Sequence, residues 1–368
     1  MADQFKINKA LLPLSWIYGW GVGIRNMLFD WEIIKGEEFP IPVISVGNLA
    51  AGGTGKTPHT EYLICLLLGK KYKIAVLSRG YKRKTKGFLL AGENSSPATI
   101  GDEPFQMYRK FPNILVAVDK QRRRGIRNLL ELPEDKRPEV ILLDDAFQHR
   151  WVVPSLSVLL TASDRLFYED CLLPAGRLRE SFRNHSRAQI VICTKCPESF
   201  KPIDYRIINK NMELYPYQQL YFTSYRYRDL LPVFPGSVKT ESIERLQKES
   251  CSFLLVTGIA NPTDISGYLA NHTADLHQLK YSDHHDFSSR NINEIVETFN
   301  EIKNPKKRII TTEKDAVRLM NNPHIPEKIK EFMHYLPVEV VFNLEQENIF
   351  IQKIENHVRS IKRNRVLA

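Results

Sequence analysis

The chain has 368 residues, of which 43% are hydrophobic and 26% are charged, so it is long enough to bury the cores of two globular domains. A formal net charge of +10 at pH 7 favours anionic partners such as nucleotides, nucleic acids or an acidic membrane surface. Five cysteines in a chain of this length exclude a disulfide-rich secreted scaffold and indicate a reducing compartment.

Residues 10–31 form an apolar segment rich in leucine, isoleucine and tryptophan, in which Arg25 is the first charge. One proline and three glycines interrupt it, so it is a marginal candidate for a helix that spans a bilayer. Its aromatic side chains are typical of the lipid headgroup boundary. We predict a helix that lies on the cytoplasmic leaflet of a membrane. The alternative is a core helix of the first domain.

A glycine-rich loop follows, between the apolar run 41–46 and the helical pattern 60–68. Strand, loop and helix in this order are what a phosphate-binding loop requires, because glycines turn backbone N–H groups toward one anion. Lys56 is expected to reach the β- and γ-phosphates of a nucleotide, and the Thr57 hydroxyl to bind Mg²⁺. The loop departs from the usual spacing at its first position, where an alanine replaces glycine. Its eight residues are Ala50, Ala51, Gly52, Gly53, Thr54, Gly55, Lys56 and Thr57.

Further apolar runs continue the first domain and are typical of strands that are covered on both faces. These runs are 73–78, 114–119, 140–145, 156–160 and 189–193. The last run leads into Cys193 and Cys196, a lone C-x-x-C pair. We expect two ordinary thiols there instead of a zinc site, because no second pair of ligands has a matching spacing.

A second region begins near residue 210, with its own apolar runs at 253–257, 308–312 and 338–342. A helical pattern lies at 292–302, and a basic helix is predicted at 349–363. The predicted fold class is therefore α/β, with a mostly parallel sheet, helices on both faces and a smaller C-terminal α/β domain. The predicted division is 1–36 for the N-terminal segment, 37–209 for the nucleotide-binding core and 210–368 for the second domain.

Acidic residues at the ends of predicted elements are candidates for the active site. Asp144 and Asp145 end an apolar run, as does the Mg²⁺-binding aspartate of phosphate-loop proteins. Successive side chains on an extended chain point to opposite sides, so the two carboxylates are expected to serve different partners. Asp102 precedes a predicted helix, where it is either an N-cap or a carboxylate near an attacking hydroxyl.

Two other motifs are open to more than one interpretation. The run 283–286 is Asp-His-His-Asp, and a histidine beside a carboxylate is suited to proton transfer near neutral pH. The sequence is equally consistent with two surface histidines that have no catalytic role. In the run 173–180, arginines suit bidentate recognition of phosphate, or the segment is a solvated turn.

Taken together, these segments resemble the tetraacyldisaccharide 4'-kinase family of lipid A biosynthesis. The resemblance covers nearly the whole chain, including the N-terminal LLPLSWIYGWGVGIRN. It rests on ISVGNLAAGGTGKTP (44–58), LSRGYKRK (77–84), GDEP (101–104), LLDDAFQHR (142–150), LPAGRLRE (173–180), SDHHDFS (282–288) and TTEKDAVRL (311–319). It implies a phosphate-loop kinase core that transfers the γ-phosphate of ATP to the 4'-hydroxyl of an acylated glucosamine disaccharide 1-phosphate.

The resemblance also implies roles for individual residues. It makes Asp102 the catalytic base, with His284 paired to it and raising its basicity. Asp144 and Thr57 are expected to hold Mg²⁺, and Asp145 to organise the active site, although which aspartate binds the metal stays open. The expected substrate contacts are Asn48, Gln148, Arg179 and Glu180.

The implied partners are the lipid substrate and the lipid surface on the cytoplasmic face of the inner membrane of a Gram-negative bacterium. Neither nucleic acid nor an obligate protein partner is expected. One alternative is a GTPase, but the nearest guanine-reading candidate, residues 194–197, has Pro197 where aspartate is needed. A second is a nucleic-acid-dependent ATPase, but the basic runs lack interleaved aromatic residues.

Overall fold

A computed structural model of the chain describes residues 7–234, 236, 240–283 and 285–367. Two compact units divide the chain. The first comprises residues 1–95, 107–225 and 340–368, and the second comprises residues 96–106 and 226–339.

The elements alternate between strands and helices over most of the chain. The strands are β1 (Val43–Asn48), β2 (Ile74–Ser78), β3 (Leu89–Leu90), β4 (Leu115–Val118), β5 (Val140–Asp144), β6 (Leu156–Ala162), β7 (Ile190–Thr194), β8 (Gln219–Tyr227), β9 (Leu231–Pro232), β10 (Ser252–Thr257), β11 (Leu276–Lys280), β12 (Lys307–Thr312), β13 (Met333–Leu336) and β14 (Val338–Phe342). The α-helices are α1 (Leu12–Asp30), α2 (Lys56–Gly69), α3 (Pro97–Ile100), α4 (Asp102–Lys110), α5 (Arg122–Leu130), α6 (Pro202–Asn211), α7 (Ile243–Lys248), α8 (Thr263–Ala270), α9 (Ser289–Glu301), α10 (Glu313–Met320), α11 (Glu327–Lys330) and α12 (Glu347–Leu367). Short 3-10 helices lie at Lys9–Leu11, Phe167–Glu169 and Phe182–Arg187.

The larger sheet has the strand order β14-β8-β7-β6-β1-β5-β2-β4-β3. Strand β1 lies between β5 and β6 and is parallel to both, whereas the short β3 is antiparallel to β4. The hydrogen bonds between β8 and β14 also have an antiparallel register, with Asn343 facing Phe222 and Pro337 facing Arg228. All residues of β1, β2, β5, β6 and β7 are buried, as predicted for strands covered on both faces. The predicted mostly parallel α/β fold is confirmed. The carboxyl ends of β1 and β5 meet at one edge, where parallel sheets bind their ligands.

The smaller sheet has the strand order β11-β10-β12-β13-β9. Its first four strands are parallel, and β9 is antiparallel to β13. The buried face of the amphipathic helix α9 contributes Ile292, Ile295 and Phe299 to a core that also contains Leu254 and Val256 of β10. The second unit is therefore an α/β unit with its own hydrophobic core.

The division of the chain differs from the predicted one at both ends of the second region. Strands β8 and β14 belong to the larger sheet, and residues 96–106 belong to the second unit. Helix α12, predicted to end the second domain, packs in the first unit through Phe350, Ile354 and Val358. They lie in the same core cluster as Leu63 and Ile64 of α2. The reason is that apolar burial is not directional, so the apolar pattern of a helix does not specify which of two cores it packs against.

Helix α1 is partly packed on the first unit and partly exposed. Ser15, Asn26 and Phe29 are its buried residues. The opposite side exposes large apolar residues, including Trp16 at 68% and Trp20 at 77%. In the part of the chain that the structure describes, we find no helix with the length and hydropathy needed to cross a membrane.

Candidate active site

The glycine-rich loop connects the end of β1 to the start of α2, as the sequence predicts. Gly55 is the N-cap of α2 and has a φ of 86°, a left-handed conformation that favours glycine. The amide of Ala51 donates to the carbonyl of Arg177 at 2.7 Å, and the Thr194 hydroxyl donates to the carbonyl of Thr54 at 2.9 Å. These bonds fix the loop from two sides, next to the N-terminus of α2, where an anion is favoured.

Asn48 lies beneath this loop and is fully buried. Its side-chain amide donates to the Thr54 hydroxyl at 2.7 Å. Its backbone carbonyl accepts from the side-chain amide of Gln148 at 2.8 Å. The buried Asn48 side chain therefore stabilises the conformation of the loop. The substrate contact of Asn48 stays a prediction.

Asp144 and Asp145 serve different partners, in agreement with the expectation for an extended chain. Asp144 is the last residue of β5, is 1% exposed and accepts from the Thr60 hydroxyl of α2 at 3.5 Å. Asp145 has a φ of 47° and lies 3.7 Å from the Lys56 Nζ and 3.1 Å from an Arg179 nitrogen. Burial raises the pKa of Asp145, but the charges of Lys56 and Arg179 outweigh this effect and lower it below its ordinary value.

These oxygen donors suit Mg²⁺, which is usually bound by one or two protein oxygens and completed by phosphates and water. Thr57 is the second residue of α2, one position after Lys56, and Asp144 ends the strand parallel to β1. Among the described residues, no group of three or more histidine, cysteine or acidic side chains is arranged to hold a metal ion. The Cys193 and Cys196 sulfurs are 3.9 Å apart and buried at the end of β7.

A cleft of about 390 Å³ lies beside this cluster, within the first unit. Helix α1 forms one wall, where Tyr18 donates to the carbonyl of Arg179 at 2.8 Å and Arg25 donates to the carbonyl of Gln148 at 2.7 Å. The lining residues are Tyr18, Val22, Arg25, Gln148, Leu173, Arg179 and Glu180. Three of the four predicted substrate residues therefore border one cleft, and the N-terminal segment contributes to it directly.

A hydrogen-bond network holds the polar side of this cleft in place. The Arg179 guanidinium contacts Asp145 and the Gln148 side-chain oxygen, at 3.1 and 3.3 Å. Glu180 is 2% exposed and accepts from Gln148, Asn26 and Asn184 at 3.0–3.1 Å. Glu180 thereby connects α1 to the cleft, and Arg179 connects the cleft to the nucleotide loop.

The second unit holds Asp102, the first residue of α4. Its carboxylate lies 2.5 Å from an Arg318 nitrogen on α10, so its side chain is engaged by a cation. Lys314, also on α10, lies 3.7 Å from Glu103 and 3.4 Å from Asp283. Segments 101–104, 282–288 and 311–319, which are distant in sequence, are thus brought together in one unit.

The histidine pair of this segment is only partly described. His284 lies outside the described residues, so its predicted pairing with Asp102 stays a prediction. His285 stacks on Tyr281 with ring centroids 4.7 Å apart and contacts the Asn291 side-chain oxygen at 3.0 Å. His285 is therefore packed among its own neighbours in the loop before α9.

The chain is similar to known proteins over almost its whole length. The family model described as tetraacyldisaccharide-1-P 4'-kinase matches residues 7–359. The chain belongs to this family. A relative named tetraacyldisaccharide 4'-kinase from Bacteroides thetaiotaomicron is 52% identical, with 99% of this chain and 97% of the relative covered. Another relative of that name, from Flavobacterium psychrophilum, is 44% identical, with 97% and 99% covered.

A solved structure agrees with the fold. The crystal structure of LpxK from Aquifex aeolicus in complex with ATP superposes with a TM-score of 0.72 at 28% identity. The match covers 96% of this chain and 99% of that one. Membership of a kinase family agrees with the phosphate loop and leaves no support for the GTPase or the nucleic-acid-dependent ATPase.

Several residues of these clusters were missed from sequence. Arg122 on α5 is buried and reaches the carbonyl of Asp144 at 3.5 Å, and burial lowers its pKa to about 10. Tyr18 is one of the aromatic residues of the apolar segment and Arg25 is its first charge, and the sequence assigns neither of them to a site. Arg318 lies in one of the motifs of the family resemblance and has no predicted role of its own. No local pattern marks any of these roles, because each depends on a neighbour that is distant in sequence.

Proposed function

We propose that this protein transfers the γ-phosphoryl group of ATP to the 4'-hydroxyl of an acylated glucosamine disaccharide 1-phosphate in lipid A biosynthesis. The observation that carries the proposal is the family match over residues 7–359. It is supported by a phosphate loop, its lysine and an arginine-lined cleft within one unit. The relative of known structure was crystallised with ATP, in support of the same nucleotide here.

The loop from Ala50 to Thr57 binds the nucleotide in this proposal. Its backbone amides and Lys56 hold the phosphates, and Thr57 and Asp144 hold Mg²⁺. When bound, Mg²⁺ neutralises charge on the transferring phosphoryl group. Asp145 fixes Lys56 and Arg179 near the phosphates, so that both cations are oriented before the substrate arrives.

The acceptor sugar occupies the cleft beside α1, where Arg179 and Gln148 orient it and Glu180 fixes the position of Gln148. The bond from the 4'-oxygen to the γ-phosphorus forms as the bond between that phosphorus and the β–γ bridging oxygen breaks. The proton of the hydroxyl passes to the carboxylate of Asp102, with His284 in the supporting role that the family resemblance implies.

We further infer that the protein acts at the cytoplasmic face of the inner membrane of a Gram-negative bacterium, as a peripheral protein. Helix α1 supports this proposal because it exposes Trp16, Trp20 and other large apolar residues while its other side lines the acceptor cleft. The net charge of +10 favours an anionic lipid surface.

The decisive experiment is incubation of the purified protein with γ-labelled ATP and the acylated disaccharide 1-phosphate in detergent. We expect the label to appear in the lipid, and to remain in the nucleotide when the lipid lacks a free 4'-hydroxyl. Label released as inorganic phosphate without any transfer to lipid would refute the proposed reaction.

The Asp102→Asn variant tests the proposed base in the same assay. We expect transfer to fall by about 10²–10⁴-fold while ATP binding is retained, because general base catalysis is lost and the nucleotide site is unchanged. Asp275→Asn is the control, since Asp275 is an exposed aspartate of the same unit. Near-normal transfer by Asp102→Asn would exclude Asp102 as the base.

A further inference from the structure

Arg318 on α10 contacts two carboxylates with one guanidinium group. One terminal nitrogen lies 2.5 Å from an oxygen of Asp102, and the other lies 3.2 Å from an oxygen of Asp315. The side chain of Arg318 is 7% exposed and that of Asp315 is fully buried, whereas that of Asp102 is 16% exposed. The arginine therefore connects an interior anion to the carboxylate that is proposed to act as the base.

Asp315 is held rigidly enough to act as an anchor for Arg318. It accepts a hydrogen bond from the amide of Gly258 at 2.9 Å and one from the Thr312 hydroxyl at 2.7 Å. Thr312 in turn caps the N-terminus of α10, because its hydroxyl accepts from the amide of Asp315. Strand β10, strand β12 and helix α10 thus fix the position of this carboxylate.

The planar shape of the guanidinium makes this arrangement directional. Its nitrogens lie in a rigid fork, so contacts to two separate anions fix the orientation of the group, which the point charge of a lysine cannot do. Arg308 in the same unit shows the contrasting case, since two of its nitrogens bind the single carboxylate of Glu241, at 2.6 and 2.7 Å, and the third binds the carbonyl of Lys307. Arg308 therefore contacts one carboxylate, whereas Arg318 connects two carboxylates.

We propose that Arg318, anchored on Asp315, is a positioning residue that holds the Asp102 carboxylate in the correct orientation for the acceptor hydroxyl. The proposal rests on the proposed function, in which Asp102 is the base. The proton of the hydroxyl passes to Asp102 during phosphoryl transfer, and Arg318 exchanges no proton. Its contribution is to fix geometry, so its loss lowers kcat and leaves nucleotide affinity unchanged.

The test compares Arg318→Met and Arg318→Lys with the parent enzyme in the label-transfer assay, with kcat and the KM for ATP measured separately. We expect Arg318→Met to lower kcat about 100-fold and to change the KM for ATP less than about twofold, as expected when a catalytic group is misplaced. Arg318→Lys is expected to lower kcat about tenfold, because it keeps the charge and loses the fork.

Two comparisons separate positioning from general damage to the fold. Arg308→Met removes a partly buried ion pair of the same unit and is expected to keep kcat within about threefold once rates are divided by the folded fraction. In the Asp102→Asn background, Arg318→Met is expected to cause no further loss, because an effect that acts through Asp102 is absent when Asp102 is neutral.

The proposal is overturned if Arg318→Met keeps kcat within about threefold of the parent at equal folded fraction. It is also overturned if the kcat of the double variant falls by the product of the two single-variant reductions, those of Arg318→Met and Asp102→Asn. Should Arg318→Met fail to fold, Arg318→Lys decides, and an unchanged kcat would overturn the proposal. Failure of the proposed function is distinguishable, because it would appear in the parent enzyme or in Asp102→Asn before Arg318 is altered.

Discussion

At the residue scale, His59 connects the nucleotide loop to strand β8 from a buried position. Its Nδ1 lies 2.8 Å from the carbonyl of Gly55 and its Nε2 lies 2.9 Å from the Thr223 hydroxyl. A carbonyl only accepts, so Nδ1 carries the proton and Nε2 of the neutral ring accepts from Thr223. Burial lowers the pKa of His59 from 6.5 to about 4.

We predict that His59 makes the first unit sensitive to acid. Its pKa is lower in the folded protein, so below pH 6.5 the unfolded chain takes up a proton that the folded chain does not. Stability is therefore lost as the pH falls from 6.5 toward 4, by about 3 kcal/mol at the lower limit. In His59→Gln, the difference in Tm between about pH 7.5 and about pH 5 should be smaller than in the parent protein.

Other histidines of the first unit limit how much of the effect disappears, since burial also lowers the pKa values of His149, His185 and His357. The pKa of His149 is lowered to about 4, so His59→Gln is expected to reduce the acid sensitivity without abolishing it. His277→Gln is the control, because the His277 side chain is 43% exposed. An unchanged difference in Tm for His59→Gln would contradict the assignment of acid sensitivity to this residue.

The candidate site was predictable at this scale only where chemistry follows from local sequence. The phosphate loop, Asp144 and Asp145 were located because strand, loop and helix order their residues along the chain. The buried hydrogen bond of Asn48 to Thr54 was not predictable, since whether a polar residue faces solvent or the interior depends on what covers it. Arg318 was not assigned any role, because its partner Asp102 lies 216 residues away.

At the element scale, the junction between the loop and α2 depends on Gly55. Its φ of 86° is unfavourable for residues with a Cβ atom, and a Cβ there would overlap the hydroxyl of Tyr225 on β8. The loop and the neighbouring strand are thus fitted to one another at a residue without a side chain.

We predict that Gly55→Ala weakens ATP binding by about tenfold or more. A left-handed alanine costs about 1–2 kcal/mol, and the overlap with Tyr225 adds to that cost by displacing the loop. Binding is measured by calorimetry on the purified variant. Gly69→Ala at the other end of α2 is the matched control, because a Cβ there meets open space. Equal affinity in Gly55→Ala would show that the loop tolerates a different shape.

Helix α1 has two sides with different surroundings. Tyr18 and Arg25 face the cleft, while Trp16, Trp20 and Ile24 recur every four residues on an exposed side. Spacing of this kind places side chains on one face of a helix. The sequence predicted the helix but not its cleft-lining side.

We predict that Trp16→Ser with Trp20→Ser reduces binding to vesicles of anionic phospholipid by about tenfold or more, because two large apolar side chains no longer enter the headgroup region. Cosedimentation with vesicles measures it. Ile203→Ser with Ile207→Ser on α6 is the matched control, since these residues are also exposed apolar residues of a helix in the first unit. Unchanged cosedimentation of the tryptophan variant would exclude α1 as the membrane contact.

At the scale of the whole molecule, the chain leaves the first unit and returns to it. Residues 226–339 form most of the second unit, and β14 and α12 then complete the first. Phe350, Ile354 and Val358 are at most 1% exposed in the core that also supports α2. The C-terminal helix therefore stabilises the nucleotide-binding unit.

We predict that Phe350→Ala lowers the stability of the first unit by about 3–5 kcal/mol, because a large buried ring leaves a cavity. The measurement is the Tm of the thermal transition that rises when ATP is added, since ligand binding stabilises the unit that binds it. Ile349→Ala is the control, because Ile349 is 57% exposed. A Tm equal to that of Ile349→Ala would contradict this placement of α12.

Local sequence was sufficient to predict the nucleotide loop, the mostly parallel sheet and the family. These features depend on periodicity, on turn chemistry and on motifs within short segments, and local sequence encodes them directly. Tertiary structure alone decided that α12 returns to the first unit, that α1 lines a cleft, and that Arg318 joins Asp102 to Asp315. The physical reason is that apolar burial and charge pairing act between whichever groups the fold brings together, without regard to their separation along the chain.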